Sequence, residues 1–118
     1  MEKKYTESRP WGRFEKFTDN EVSTVKLLYL NPNSALSLQF HKKRNEFWKV
    51  INGSGKIIID DKTFEAKAGD EFYIPIGVKH RLATTDDNII VLEVSYGYFD
   101  EDDNNRLDDM YGRKLAND

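Results

Sequence analysis

Polar and apolar residues alternate along the chain from residue 22 to residue 98. A period of two is typical of β-strands that bury one face, and the 3.6-residue period of amphipathic helices is nearly absent. In residues 35–41, for example, Leu36, Leu38 and Phe40 fall on one face and polar residues fall on the other. The pattern predicts about eight short strands. The clearest lie at residues 35–41, 46–51, 56–60, 63–67, 71–75, 80–84 and 88–96.

Turn-forming residues separate these predicted strands. The run Asp60-Asp61-Lys62 suits a hairpin turn, and Pro75 together with Gly77 must change the direction of the chain. Many short strands without intervening helices are typical of an all-β sandwich or barrel. We therefore predict an all-β barrel over residues 21–100.

The two ends of the chain depart from the strand pattern. Residues 9–12 read Arg-Pro-Trp-Gly, which is too irregular for a central strand, so residues 1–20 are predicted to form an arm packed on the barrel or on a partner subunit. Residues 101–118 are predicted to form an extension packed on the barrel, with a short helix over residues 104–115. The helix prediction depends on the helical spacing of Arg106, Leu107, Met110 and Tyr111.

The length and composition of the chain exclude several classes of protein. A chain of 118 residues is one domain, and the absence of cysteine excludes disulfides and thiolate metal sites. The 18 basic and 21 acidic side chains are interspersed, so the basic stripe of a nucleic-acid binder is missing. No apolar stretch approaches the roughly 20 residues of a membrane span or forms a signal segment. We expect a cytoplasmic protein without nucleic-acid or membrane partners.

Both histidines of the chain lie beside predicted strands and near other metal-ligating side chains. Gln39 and His41 share one strand face, Glu46 opens the next strand after a predicted four-residue hairpin, and His80 follows the turn at Pro75. Inward-facing polar groups are costly unless something satisfies them, and a metal ion does so. Two imidazoles, a carboxylate and an amide oxygen suit one Zn²⁺ ion best, with Mn²⁺, Fe²⁺, Co²⁺ or Ni²⁺ as alternatives. The other interpretation is two unconnected core or surface histidines.

The same residues carry a resemblance to the cupin superfamily. The first cupin motif is matched by Gln39-Phe40-His41-x4-Glu46-x6-Gly53, with Gln in place of its first histidine, and the second by Gly69-x5-Pro75-x-Gly77-x2-His80. The chain further resembles the C-terminal domain of type II mannose-6-phosphate isomerases, which are usually fused to a mannose-1-phosphate guanylyltransferase. That resemblance rests on Arg9-Pro10-Trp11-Gly12, Leu36-Ser37-Leu38-Gln39, Glu46-Phe47-Trp48, Lys79-His80-Arg81-Leu82, Glu93-Val94 and Asp109-Met110-Tyr111-Gly112-Arg113.

The resemblance implies a cupin fold, the double-stranded β-helix or jelly-roll barrel, and a metal-dependent isomerase. Its reaction would interconvert mannose 6-phosphate and fructose 6-phosphate through an enediolate. The chain departs from the family in having Lys42 and Lys43 where histidines often follow the metal histidine. No Gly-rich nucleotide-binding segment precedes the barrel, so nucleotidyl transfer is not expected.

The remaining site residues are nominated by their chemistry. Lys49 and Glu93 are the candidate catalytic residues for moving the proton between the two carbons. The cluster of Lys42, Lys43 and Arg44 is either a solvated loop or a rim that attracts an anionic substrate. The candidates for binding the phosphate are Arg9, Arg13, Lys42, Lys43 and Arg81.

Two other functions fit the same residues. One is an isomerase or epimerase of another sugar phosphate or of a nucleotide sugar, and the other is a non-catalytic sugar-binding cupin. A homodimer is expected, with the arm around Trp11 and the apolar strand at residues 88–94 at its interface. A separate guanylyltransferase is a further candidate partner.

Overall fold

The computed structural model describes residues 4–113 and 115, and it is built almost entirely of β-strands. Among these residues, the one 3₁₀ turn, Glu101–Asp103, precedes the last strand. The strands in chain order are β1 Tyr5–Arg9, β2 Gly12–Lys16, β3 Ser23–Leu30, β4 Leu38–Phe40, β5 Asn45–Ile59, β6 Lys62–Lys67, β7 Glu71–Ile74, β8 His80–Ala83, β9 Ile89–Tyr96 and β10 Asn105–Asp108. The all-β prediction is confirmed.

The long strand β5 belongs to two sheets. Its first half pairs with β7 and β9, and its second half pairs with β6 and β8. A register shift between Val50 and Asn52 divides the halves, as expected where a strand bends at the corner of a barrel. One sheet has the order β3-β9-β5-β7, and the other has the order β10-β4-β8-β5-β6.

Apolar side chains from both sheets fill the space between them. Trp48 and Val50 point inward from the first half of β5 and Ile57 from the second half, where they join Leu82 of β8 and Val91 of β9. Each such side chain contributes about 1.5–3 kcal/mol by leaving water. The core ends at Trp48, whose ring meets the His80 ring edge-on with 5.5 Å between centroids. The polar site described below therefore begins directly at the wall of the core.

The predicted N-terminal arm contains a β-hairpin, which the sequence pattern did not indicate. Strands β1 and β2 pair only with each other among the described residues, and Trp11 at their turn is 72% exposed. The base of the hairpin is fixed to the first sheet by the ion pair of Lys4 with Glu71 at 2.9 Å. Just after β2, the Phe17 ring packs on Phe47.

The predicted C-terminal helix is wrong. Strand β10 runs antiparallel to β4, with Asn105 opposite Phe40 and Arg106 opposite Gln39. The segment is rich in Asn and Asp, which are poor helix formers. Pairing also covers the edge of β4 that would otherwise expose unpaired backbone groups. The spacing that indicated a helix consists of two adjacent pairs, which a strand followed by a turn accommodates equally well.

Gly53, the last residue of the first motif, is required by a close approach of two backbones. It has a φ of +79°, and a Cβ atom there would overlap the carbonyl oxygen of Asn88. Gly69 has a comparable φ of +95° but open space around its Cα. A side chain at Gly69 would therefore meet only the cost of a positive φ, whereas a side chain at Gly53 would also meet steric overlap.

We expect Gly53→Ala to destabilise the fold more than Gly69→Ala does. Both variants carry the cost of a positive φ, about 1–2 kcal/mol, but only Gly53→Ala adds overlap with a neighbouring backbone, about 1–3 kcal/mol more. Urea unfolding of both variants measures the difference. Equal free energies of unfolding would contradict the assignment of Gly53 to a close approach.

Candidate metal centre

Three predicted ligands meet at one end of the barrel. His41, Glu46 and His80 are 4%, 1% and 1% exposed, and one ligand atom from each lies within 4.8 Å of the others. His41 directly follows β4, Glu46 is near the start of β5, and His80 opens β8. The three residues thus come from both sheets.

The connection between His41 and Glu46 is not the predicted hairpin. Strand β4 pairs with β8 and β10 in one sheet, whereas the first half of β5 pairs with β7 and β9 in the other. The intervening loop, residues 42–44, therefore crosses from sheet to sheet. The crossing still brings His41 Nε2 to 3.3 Å from Glu46 Oε2. The proximity was predicted correctly, but for the wrong geometric reason.

Both imidazoles direct Nε2 at the centre. The Nδ1 atom of His41 donates to the Asp103 carbonyl oxygen at 2.9 Å, and the Nδ1 atom of His80 donates to the Val78 carbonyl oxygen at 3.0 Å. A carbonyl can only accept, so Nδ1 carries the proton in each ring. Burial, the largest influence, lowers the pKa of His80 and favours the neutral ring. Neutral imidazoles of this tautomer are the form that ligates metals.

A buried acceptor without a partner shows that the site suits a cation. Among the described residues, His80 Nε2 is the one buried side-chain nitrogen or oxygen that has no hydrogen bond. It lies 3.8 Å from Glu46 Oε1. Leaving such an atom unsatisfied is costly, and a divalent ion held by His41, Glu46 and His80 removes that cost. The residues present could therefore hold a metal ion.

Glu46 is hydrogen-bonded on both of its oxygens. Arg44 Nε donates to Oε2 at 2.9 Å, and Trp48 Nε1 donates to Oε1 at 3.2 Å. The hydroxyl of Ser95 lies 3.4 Å from Oε2. These donors fix the carboxylate plane and leave both oxygens facing the imidazoles.

Arg44 is part of the centre rather than part of a solvated basic loop. Its side chain is buried, its Nη2 lies 3.4 Å from His41 Nε2, and its guanidinium lies 4.4 Å from the centre of the Phe99 ring. Sequence reasoning grouped it with Lys42 and Lys43. The sequence does not show that this loop crosses between the sheets. The crossing turns Arg44 inward, while Lys42 and Lys43 point outward.

A cavity of about 150 Å³ opens beside the three ligands. Gln39 lines it, on the strand position paired with His80. Glu93 also lines it from β9, and burial, aided by the nearby Glu46, raises the pKa of Glu93 to about 8. The cations in its lining are Lys26, Arg44, Arg106 and Arg113. Sequence reasoning missed Lys26, Arg106 and Arg113 as site residues.

The structure keeps the other nominated residues out of this lining. Lys49 lies on the outer face of the first sheet, 2.8 Å from Glu15. On the N-terminal hairpin, Arg9 pairs with Glu7, and Arg13 Nη2 lies 3.5 Å from Glu15. None of these side chains faces the three ligands.

Arg81 and the two lysines are held near the site but outside the cavity. Arg81 points away from His80, as strand alternation requires, and its Nε donates to the Leu36 carbonyl oxygen at 2.9 Å. Lys42 and Lys43 are exposed on the crossing loop, and Lys43 Nζ lies 3.9 Å from Asp100. The structure therefore brings together Gln39, His41, Glu46, His80 and Glu93 and separates them from the nominated phosphate-binding residues.

Comparison with known proteins places the chain in a family. Residues 1–109 match the family model described as mannose-6-phosphate isomerase C-terminal. The chain belongs to that family. The alginate biosynthesis protein AlgA of Pseudomonas aeruginosa is 40% identical over 107 residues, which are 89% of this chain and 22% of that protein. Mannose-1-phosphate guanylyltransferase 2 of Escherichia coli O157:H7 is 37% identical over 107 residues, 87% of this chain and 22% of the relative. The chain thus spans about a fifth of the length of these relatives.

Solved structures confirm the cupin fold. A cupin protein of Bacteroides fragilis aligns with a TM-score of 0.59 at 25% identity, over 65% of this chain and 72% of that one. A sugar phosphate isomerase of the cupin superfamily from Silicibacter pomeroyi aligns with a TM-score of 0.60 at 24% identity, over 64% of this chain and 51% of that one. Within the described residues, the structure contains no helix with the length and apolar character of a membrane span.

The raised pKa of Glu93 predicts a pH-dependent stability of the metal-free protein. Because the folded protein holds this proton more tightly than the unfolded chain, with a pKa of about 8 against 4.5, its contribution is complete below pH 4.5 and is lost as the pH rises through 8. We expect Glu93→Gln to be more stable than wild type at pH 9, with a smaller difference at pH 5. Each 1 kcal/mol corresponds to a Tm shift of about 3–6 °C.

Thermal melts in the presence of a chelator measure this difference. Glu65→Gln is the matched control because Glu65 is exposed on β6. If the Tm difference between Glu93→Gln and wild type were the same at both pH values, Glu93 would not be a protonated buried carboxyl.

Proposed function

We propose that this protein is a metal-dependent mannose-6-phosphate isomerase that interconverts mannose 6-phosphate and fructose 6-phosphate. The observation that carries the proposal is the buried group of His41, Glu46 and His80, in which the His80 Nε2 atom has no protein partner. Membership of the mannose-6-phosphate isomerase C-terminal family supports the choice of reaction. A cavity with several cationic side chains at the same place supports an anionic substrate.

Gln39 is proposed as the fourth ligand. It lies on the position of β4 paired with His80, and it lines the cavity. Two imidazoles, a carboxylate and an amide oxygen favour Zn²⁺, and Mn²⁺, Fe²⁺, Co²⁺ and Ni²⁺ accept the same donors. When bound, the ion supplies a Lewis acid for the carbonyl and hydroxyl oxygens of the sugar.

Glu93 is proposed to move the proton between the two carbons. It is buried, it lines the cavity, and it lies on β9 opposite Trp48 of β5, whose ring borders His80. Lys49, the other nominated residue, is ion-paired on the outer face of the barrel, where substrate in the cavity does not reach it. A positioned carboxyl within an enclosed site is a common acid–base group.

The phosphate is proposed to bind at Arg106, with Lys26 and Arg113 beside it. All three side chains line the cavity. Arg113 is already held by Asp109, with Nε 2.9 Å from Oδ2. No ion pair or hydrogen bond engages the Arg106 side chain within residues 4–113 and 115, so its donors are available to a phosphate.

The alternatives differ in substrate or in turnover. Another sugar phosphate or a nucleotide sugar would use the same metal and base with other contacts at the cavity mouth, and a sugar-binding cupin would bind without turnover.

The proposal also includes a cytoplasmic homodimer, with a separate guanylyltransferase as partner. The segments proposed for the homodimer interface are the arm around Trp11 and the strand at residues 88–94. Strand β9 is flanked by β5 and β3, so it would contribute its outer face rather than an edge.

Protein loaded with Zn²⁺ is expected to convert mannose 6-phosphate to fructose 6-phosphate in a coupled assay, and a chelator is expected to abolish turnover. His80→Ala should lose both the metal and the activity while it keeps its circular dichroism spectrum.

Glu93→Gln should retain the metal and lose about 10²–10⁴-fold in kcat, whereas Glu65→Gln should match wild type. Loaded protein that converts neither sugar phosphate would contradict the proposal, and binding without turnover would favour the sugar-binding alternative.

Arg106→Ala is expected to raise the KM for mannose 6-phosphate more than it lowers kcat. Losing a hydrogen bond to a charged group costs about 1.5–3 kcal/mol, which is about 10–100-fold in KM if the contact is equally strong before and during reaction. The double variant Lys42→Ala with Lys43→Ala is the comparison. If the lysine variant alone raised KM and reduced its salt dependence, the phosphate would bind at the loop instead of at Arg106.

A further inference from the structure

The crossing loop between the two sheets is closed by a residue far along the chain. Asp103 is 7% exposed, and its carboxylate accepts the backbone N–H groups of Lys42, at 3.0 Å to Oδ1, and of Lys43, at 3.0 Å to Oδ2. Neither residue belongs to a strand, so no ladder satisfies these donors.

The same residue also orients a ligand. The backbone carbonyl oxygen of Asp103 accepts from His41 Nδ1 at 2.9 Å, which keeps the proton on Nδ1 and the lone pair of Nε2 directed at Glu46 and His80. Asp103 thus holds the loop that follows His41 by its side chain and the imidazole itself by its backbone. One contact holds the loop that follows His41 and the other holds its ring. A movement of the loop would therefore also shift the imidazole.

The turn around Asp103 supports a second ligand through Arg44. Arg44 Nη1 donates to the Asp100 carbonyl oxygen at 3.2 Å, and Nη2 donates to Asn104 Oδ1 at 3.2 Å. Arg44 Nε in turn donates to Glu46. The segment from Asp100 to Asn104 therefore lies directly behind two of the three metal-ligating residues.

We propose that Asp103 is a positioning residue of the metal centre, which holds the His41 imidazole and the crossing loop in the geometry that binds a divalent ion. This inference rests on the proposed function, because it assumes that His41, Glu46 and His80 bind a metal. Groups that orient ligands in this way typically account for about 10–100-fold in metal affinity. A purely structural role would instead lower the stability of the metal-free fold and leave the affinity unchanged.

The test compares Zn²⁺ affinity with stability in the 118-residue chain. Competition with a chelating dye gives the Kd for Zn²⁺, and urea unfolding in chelator gives the stability of the metal-free protein. We expect Asp103→Ala to raise the Kd about 10–100-fold and Asp103→Asn to raise it less, since its amide oxygen can still accept one N–H group.

Asp102→Ala is the matched control. Asp102 is exposed and adjacent, so its replacement removes the same charge at nearly the same distance without touching the loop. It should leave the Kd within about twofold of wild type, because an exposed charge is largely screened. The nitrogen resonances of His41 give a second readout: wild type should show the Nδ1–H form, and Asp103→Ala should show a mixture of tautomers.

The outcomes separate this inference from the proposed function. If wild type binds no Zn²⁺, the metal centre itself is overturned and the inference falls with it. If wild type binds Zn²⁺ and both folded Asp103 variants bind it equally well, the positioning role alone is overturned. Where Asp103→Ala does not fold, the Asn variant decides by the same criterion. A raised Kd in Asp102→Ala of equal size would also overturn it, since charge alone would then explain the effect.

Discussion

The carboxylate of Glu46 is buried between the two sheets, and the residue is only 1% exposed. An isolated buried charge costs several kcal/mol, so the surrounding structure must supply donors and positive charge. Arg44, Trp48 and Ser95 provide them. Arg44 is itself buried and needs acceptors, which the turn at Asp100 and Asn104 provides. The requirement to satisfy one carboxylate therefore extends from β5 to the C-terminal segment.

The sharing of β5 between the sheets determines where this requirement can be met. The first half of β5 places Glu46 beside Ser95 of β9, and its second half is paired with β8, whose first residue is His80. A chain that crosses from β4 to β5 at this corner delivers His41 to the same point. Binding groups from both sheets can converge only at an end of the barrel, because the middle is filled by Trp48, Ile57, Leu82 and their neighbours.

Alternation alone was enough to predict β4 to β9, with β5 as two segments, and the inward faces of Gln39, His41 and Glu46, because a period of two leaves a side chain only two directions. It could not predict how strands are ordered. For that reason the loop after His41 was interpreted as a hairpin, and β10 as a helix. Arg44 and Asp103 act through contacts between residues more than 50 positions apart in the sequence, and Arg106 reaches the cavity as part of β10. No local sequence pattern encodes these contacts. The cationic lining of the cavity was missed for the same reason.

Arg44 also shapes how the centre accepts a cation. In the metal-free protein, Arg44 balances the charge of Glu46 and approaches Nε2 of His41 to 3.4 Å, so the ligands are held in place before any ion arrives. An ion held by His80 Nε2 would break no protein hydrogen bond, whereas one held by His41 Nε2 would have to replace the contact with Arg44. Repulsion between a divalent ion and a guanidinium a few ångströms apart costs several kcal/mol even at an effective dielectric constant of about 20. The same arginine that orders His41 and Glu46 would therefore also limit how tightly these residues could hold a metal ion. Preorganisation by Asp103, which adds no positive charge, does not carry this cost.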